Sequence, residues 1–262
     1  MIVFKSEKEV AAIQKSSRIV AQVLADLRGM IELGIMTKDL DAFAEKRAIE
    51  MGAIPAFKGY RGYPSSLCTS INEEIIHGIP SSRKLQEGDI ISLDFGVIYD
   101  GYYGDAAVTY PVGEVSLEAK KLIDAVEKAF FKGFEKLQDE YRISDISNAI
   151  QTSVESQGFS VIRAFVGHGI GISLHEEPQI PNFGVPGRGP KIKKGLVLAI
   201  EPMIAAGDWN VEIKDDSWTA ITKDRSLSAH YEHTVAFTQQ GAKILSLLEE
   251  EKLPYAKESP YA

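Results

Sequence analysis

The chain contains an imperfect copy of part of itself. Residues 84–95 read KLQEGDIISLDF and residues 191–202 read KIKKGLVLAIEP; both carry a lysine, a glycine, an apolar run and then an acid. The match places Asp94 on Glu201 and, within a residue of the same offset, Asp39 on Asp145, Gly52 on Gly158 and Ala56-Phe57 on Ala164-Phe165. Matches in that order indicate a duplicated helix-helix-strand unit. A single domain over 1–262 is expected, with halves of roughly 1–113 and 114–250 related by a pseudo-twofold and a C-terminal tail over 251–262. Asp94 and Glu201 would then meet near the axis from opposite sides.

Residues 90–107, IISLDFGVIYDGYYGDAA, read as a buried hairpin that nevertheless carries Asp94 and Asp105. Burying an unpaired carboxylate is costly, so these charges need compensation. Further strands are expected near 67–71, 159–166, 196–200, 210–222 and 229–238. Ser6 and Glu9 form a capping-box pattern ahead of a helix, Thr37 is expected to cap a second helix ending at Gly52, Ser116 a third, and Ser144 a fourth ending at Gly158. Helices and strands in separate blocks imply an α+β fold.

Composition narrows the chemistry. Cys68 is the single cysteine, which excludes an internal disulfide and any multi-cysteine metal site. A formal charge of -8 argues against a nucleic-acid-binding surface, since phosphate contact calls for excess Lys and Arg. No apolar run approaches the roughly 18 residues of a membrane span, and a cytoplasmic location is expected.

Asp94, Asp105, His168, Glu201 and Glu232 each stand in a setting where a polar residue is conspicuous: His168 among the glycines of VGHGIGISLHEEP, Glu201 at the end of LVLAI, Glu232 within AHYEHTVAF. Singly, each has an ordinary explanation, such as a turn, an edge strand or a solvated face. Together, four carboxylates in one cleft cannot all remain ionised without cations. Two divalent metals would resolve the repulsion, and an oxygen-rich set with one imidazole suits Mn(II), Fe(II) or Co(II), with Zn(II) also compatible. His77 and His175 are further loop candidates. His230 and His233 flank Glu232 and are expected to have mainly structural roles.

The motifs YRGYP, SINEEIIHGIP, LDFGVIYDGYYGDAA, GHGIG, LHEEP, IEPM and KDRSLSAHYEHT closely resemble those of type I methionine aminopeptidases of peptidase family M24, and the resemblance covers nearly the whole chain. It implies the pita-bread fold, a pseudo-symmetric α+β arrangement with a central antiparallel sheet and helices outside. It also implies two divalent ions, with Asp94 chelating one, His168 and Glu201 binding the other, and Asp105 and Glu232 bridging them. The implied reaction is removal of an initiator methionine before a small second residue, by a hydroxide held between the ions. His175 would contact the scissile carbonyl, His77 the scissile nitrogen, and Glu201 would shuttle a proton. The methionine pocket would comprise Tyr60, Tyr63, Cys68, Leu174 and Trp218, with Leu174 where the family often has Phe and Phe57 where some members have Cys. Implied partners are deformylated N-termini of nascent polypeptides, without membrane or specific nucleic acid; the family pattern favours a monomer and leaves room for transient ribosome association.

Overall fold

The computed structural model describes residues 1–248, so the tail expected over 251–262 lies outside the described residues. The first part of the chain forms α1 (Glu7–Arg28), α2 (Thr37–Glu50), β1 (Ile54–Pro55), β2 (Leu67–Ile71), β3 (Glu74–Ile76), β4 (Ile90–Tyr99) and β5 (Tyr102–Pro111). The second opens with α3 (Leu117–Phe134), α4 (Ile143–Glu155), β6 (Ser160–Val161), β7 (Val166–Gly169), β8 (Glu176–Pro181) and β9 (Leu196–Ile200). It continues through β10 (Met203–Ala205), β11 (Val211–Ile213), β12 (Ala220–Thr222), β13 (Ser228–His230), β14 (Glu232–Thr238) and β15 (Gly241–Ile244).

The main sheet runs β1-β4-β5-β14-β9-β7-β8, with β2 also on β4 and β15 also on β14, and its pairings are antiparallel. This is the α+β arrangement expected from the sequence. Strand alternation then sorts side chains between the two faces. On β4 and β5, Ile91, Leu93, Phe95, Val97 and Ala106 pack with Val20, Leu24 and Leu27 of α1 and Leu40 and Ala44 of α2. On β9 and β14, Leu196, Leu198, Ile200, Val235 and Phe237 pack with Leu122, Val126 and Phe130 of α3 and Ile146 and Ile150 of α4. Phe95 is fully buried, and its truncation to Ala would cost about 3–5 kcal/mol. Residues one position out of step with these, among them Asp94, Asp105, Ala107 and Glu232, necessarily lie on the other face.

Two helix starts differ from expectation. Ser6 closes its capping box with Glu9 and Ser116 accepts from the Ala119 amide, but α2 is preceded by Met36 and α4 by Arg142. Thr37 instead exchanges hydrogen bonds with Ser81, and Ser144 with Arg188, because a neighbouring loop offers each hydroxyl a partner outside its helix. The expected strand over 210–222 is the hairpin β11-β12, and the one over 159–166 is broken into β6 and β7.

Candidate metal centre

Register brings three of the acids together. Asp94 pairs with Ala107 across β4 and β5, and Ala107 pairs with Glu232 across β5 and β14. Asp94, Ala107 and Glu232 thus form one row over three strands, with the smallest side chain in the middle. Asp105, two residues earlier on β5, shares that face and faces Gly96. A Cβ at Gly96 would come within 2.7 Å of the Phe57 ring, so the site tolerates no side chain there. Thr234 secures the β5-β14 junction by accepting from the Asp105 amide at 3.1 Å and donating to its carbonyl at 2.8 Å.

The second half supplies His168 and Glu201. His168 pairs with Ala199 on β9, and Glu201 follows the last residue of that strand. His168 Nδ1 lies 3.0 Å from the carbonyl of Gly169. A carbonyl can only accept, so Nδ1 carries the proton and Nε2 presents its lone pair. That nitrogen lies 3.3 Å from Glu201 Oε1. Ligand atoms of Asp105, His168 and Glu232 all fall within 4.8 Å of one another.

Among the described residues, no Lys or Arg forms an ion pair with the carboxylates on this face. Asp94 Oδ1, Asp105 Oδ1 and Glu232 Oε1 are buried without a hydrogen-bond partner. Burial raises the Asp94 carboxyl to about 7, although its side chain keeps a narrow opening to the cavity. Asp105, Glu201 and Glu232 are pushed well above the usual carboxylate range, first by burial and then by one another's charge. Burial lowers His168 to about 3 and His77 to about 4, with the neighbouring His175 adding to both, which keeps the rings neutral. Orphaned carboxylate oxygens beside a neutral imidazole fit divalent cations.

All twelve residues singled out as ligands, catalytic groups or pocket walls line one cavity of about 310 Å³: Asp94, Asp105, His168, Glu201, Glu232, His77, His175, Tyr60, Tyr63, Cys68, Leu174 and Trp218. His175 Nδ1 is 2.8 Å from the Tyr60 hydroxyl, and its ring centroid is 4.3 Å from that of His168. Burial, followed by the charge of Arg61, lowers the His175 pKa. His77 holds a φ of 58°, a left-handed conformation that costs a non-glycine residue about 1–3 kcal/mol. Its ring stands edge-on to Phe165 and Trp218, at centroid distances of 5.9 and 6.2 Å. Tyr63 meets Trp218 edge-on at 5.2 Å, so Trp218 faces the cavity as well as packing.

Ile76, Phe165 and His230 also line the cavity and were not anticipated as site residues. The structural role expected for His230 is corrected: it stands two residues before Glu232, the spacing that puts strand side chains on one face, and it lines the cavity with Glu232 although regular pairing lapses at Tyr231 between β13 and β14. His233 does face away, bonded to Ser246 and Tyr231 and packed against Phe130. The one sequence signal for His230 was a histidine two residues from an acid; for Phe165 it was the repeat, which placed it opposite Phe57.

Comparison with known proteins gives concordant results. Residues 11–239 match metallopeptidase family M24. The chain is 50% identical over 248 residues to the methionine aminopeptidase of Clostridium perfringens, spanning 95% of this chain and 100% of that one. It is 49% identical over 246 residues to methionine aminopeptidase 1 of Bacillus subtilis, spanning 94% of this chain and 99% of that one. The crystal structure of a methionine aminopeptidase from Thermotoga maritima superposes with a TM-score of 0.93 at 45% identity, covering 95% of this chain and 100% of that one.

Proposed function

This chain belongs to metallopeptidase family M24, with the pita-bread fold, and we infer that its cavity is a two-ion centre releasing the N-terminal methionine of a polypeptide whose second residue is small. The enzyme is a metalloaminopeptidase. The observation that carries the two-ion reading is the row of orphaned carboxylates on one sheet face, beside His168.

Asp94 would hold one ion, His168 and Glu201 the other, and Asp105 and Glu232 would lie between them. Mn(II), Fe(II), Co(II) or Zn(II) so held would supply Lewis-acid polarisation of a carbonyl and a water made nucleophilic near neutral pH. The protein's own groups do the rest. With the Tyr60 phenol donating to Nδ1, His175 carries its proton on Nε2 and can donate to the oxygen that gains charge as the amide carbon becomes tetrahedral. His77, held by its constrained backbone between Phe165 and Trp218, is placed to bond the scissile nitrogen. Glu201, whose carboxyl is displaced upward, can take a proton and return it to the departing amine.

Tyr63, Cys68, Leu174 and Trp218 form a mainly apolar wall suited to a thioether, whose contacts with aromatic rings contribute roughly 0.3–1.5 kcal/mol. A hydrophobic pocket distinguishes one methylene by only about 1–3 kcal/mol, so selection of a small second residue comes from steric limits beyond the ligands. Among the described residues no helix is long and apolar enough to cross a membrane. Deformylated N-termini of nascent chains in the cytoplasm, met by a monomer with transient ribosome contact, complete this reading.

The test is release of free methionine from Met-Ala-Ser, Met-Leu-Ser and N-formylated Met-Ala-Ser by metal-stripped protein resupplied with each ion. Metal-dependent release from unblocked Met-Ala-Ser alone is expected. Release from the formylated peptide, or none with any ion, would overturn the proposal.

A further inference from the structure

His230 is a deeply buried titratable group without a role in the reaction outlined above. Its side chain is 2% exposed, and neither ring nitrogen has a hydrogen-bond partner among the described residues. The backbone beneath it is fixed: its amide donates to Thr109 Oγ1 at 2.9 Å, the same hydroxyl donates to its carbonyl at 2.8 Å, and it pairs in register with Met203. The ring is therefore aimed by the sheet.

Its Nε2 lies 4.0 Å from Glu201 Oε2 and 3.9 Å from Glu232 Oε2. Glu201 thus has its two oxygens directed differently, with Oε1 toward His168 Nε2 at 3.3 Å and Oε2 toward His230. Pure packing explains this poorly, because an imidazole with two idle nitrogens forfeits hydrogen bonds that water would have supplied. A direct bond at 4.0 Å is too long, but one bridging water or a small carboxylate movement closes the gap. Ligating carboxylates are commonly oriented by just such an outer donor.

We propose that His230 is a positioning residue whose Nε2–H is directed at Glu201 Oε2, fixing that carboxylate so that Oε1 is presented beside His168. The inference rests on the metal-centre reading, and it concerns only how Glu201 is held.

The test uses the full chain, stripped of metal and titrated with Co(II) by calorimetry, as wild type, His230→Met and His230→Gln. Methionine fills comparable space without a donor, whereas glutamine restores an N–H. His230→Met should bind Co(II) about 10–100-fold more weakly, with His230→Gln recovering most of the loss. Paramagnetic NMR of the Co(II) protein should show one coordinated imidazole, from His168, in all three. Equal Co(II) affinity in wild type and His230→Met would overturn the proposal, as would a second coordinated imidazole in wild type that disappears in the variants. Should His230→Met fail to fold by circular dichroism, His230→Asn, whose shorter amide cannot reach Glu201, takes its place with the same expected loss. Wild type that binds no Co(II) would instead refute the metal-centre reading itself.

Discussion

Lys5 Nζ lies 2.5 Å from Glu176 Oε2, joining the segment ahead of α1 to the residue that follows His175. The Lys5 side chain is buried and that of Glu176 is 12% exposed, and the other Glu176 oxygen accepts the amides of Ile172 and Ser173 at 2.9 and 3.2 Å. Gly171 makes room for the pair, since a Cβ there would fall 2.5 Å from Lys5 Cε. One ion pair therefore braces the turn that carries His175.

Replacing Lys5 with Met leaves a largely buried carboxylate without its cation, at a cost of up to about 3 kcal/mol, the lower end for a broken buried pair. Thermal melting and turnover should both fall, while Co(II) affinity changes little because Lys5 touches no proposed ligand. An unchanged melting temperature would show that the pair does not stabilise the turn.

Asp94→Ala and Glu232→Ala remove two of the orphaned acids. Each should reduce turnover by more than the roughly 10–100-fold typical of losing an outer partner of a ligand. Because burial and mutual repulsion already penalise these carboxylates, the metal-free variants should melt higher than metal-free wild type. Calorimetry of stripped proteins checks the second expectation; a lower melting point would mean the acids are compensated in some other way.

His175→Ala removes the proposed donor to the developing oxyanion. Turnover should fall by about 100–1000-fold, with metal affinity retained. Parallel loss of bound metal would reassign His175 as a ligand. Tyr60→Phe should have a smaller effect in the same direction, since it frees Nδ1 without removing the ring.

Glu127 on α3 gives a pH signature outside the cavity. Burial, reinforced by Asp124 and opposed by Arg28, raises its carboxyl from 4.5 to about 7. The folded state thus holds this proton more tightly than the unfolded chain. Its stabilising effect is complete below about 4.5 and is lost as the pH rises through about 7. Glu127→Gln should therefore gain stability relative to wild type as pH increases over that interval. Urea midpoints at pH 5 and pH 8 measure this, and an equal gap at both values would contradict the assignment.

Much of this architecture is legible in the residues. Alternation in IISLDFGVI fixes which face Asp94 takes, and the repeat locates Glu201 at the equivalent place in the other half of the chain. Alternation also puts His230 on the Glu232 face, two residues away, and of these two histidines sends only His233 to the other side. Capping preferences at Thr37 and Ser144 failed because each hydroxyl met a long-range partner, in Ser81 and Arg188, that local sequence does not announce. The neighbours of Lys5 are likewise a product of tertiary packing, as nothing near it in sequence points to Glu176.

The position of β14 has a consequence for the order of events during synthesis. It is among the last strands to emerge, yet it lies between β5 and β9 and is the piece that joins the two flanks of the sheet. Asp94 and Asp105 come from a local hairpin and can be placed early, whereas Glu232 arrives only when that late strand inserts. A chain made only as far as β13 would therefore carry the other four proposed ligands without Glu232 or the strand that joins their two flanks. On the proposed ligand set, capture of a cation and completion of the sheet would be one cooperative step, in which the ion favours the finished topology over any arrangement still awaiting its central strand.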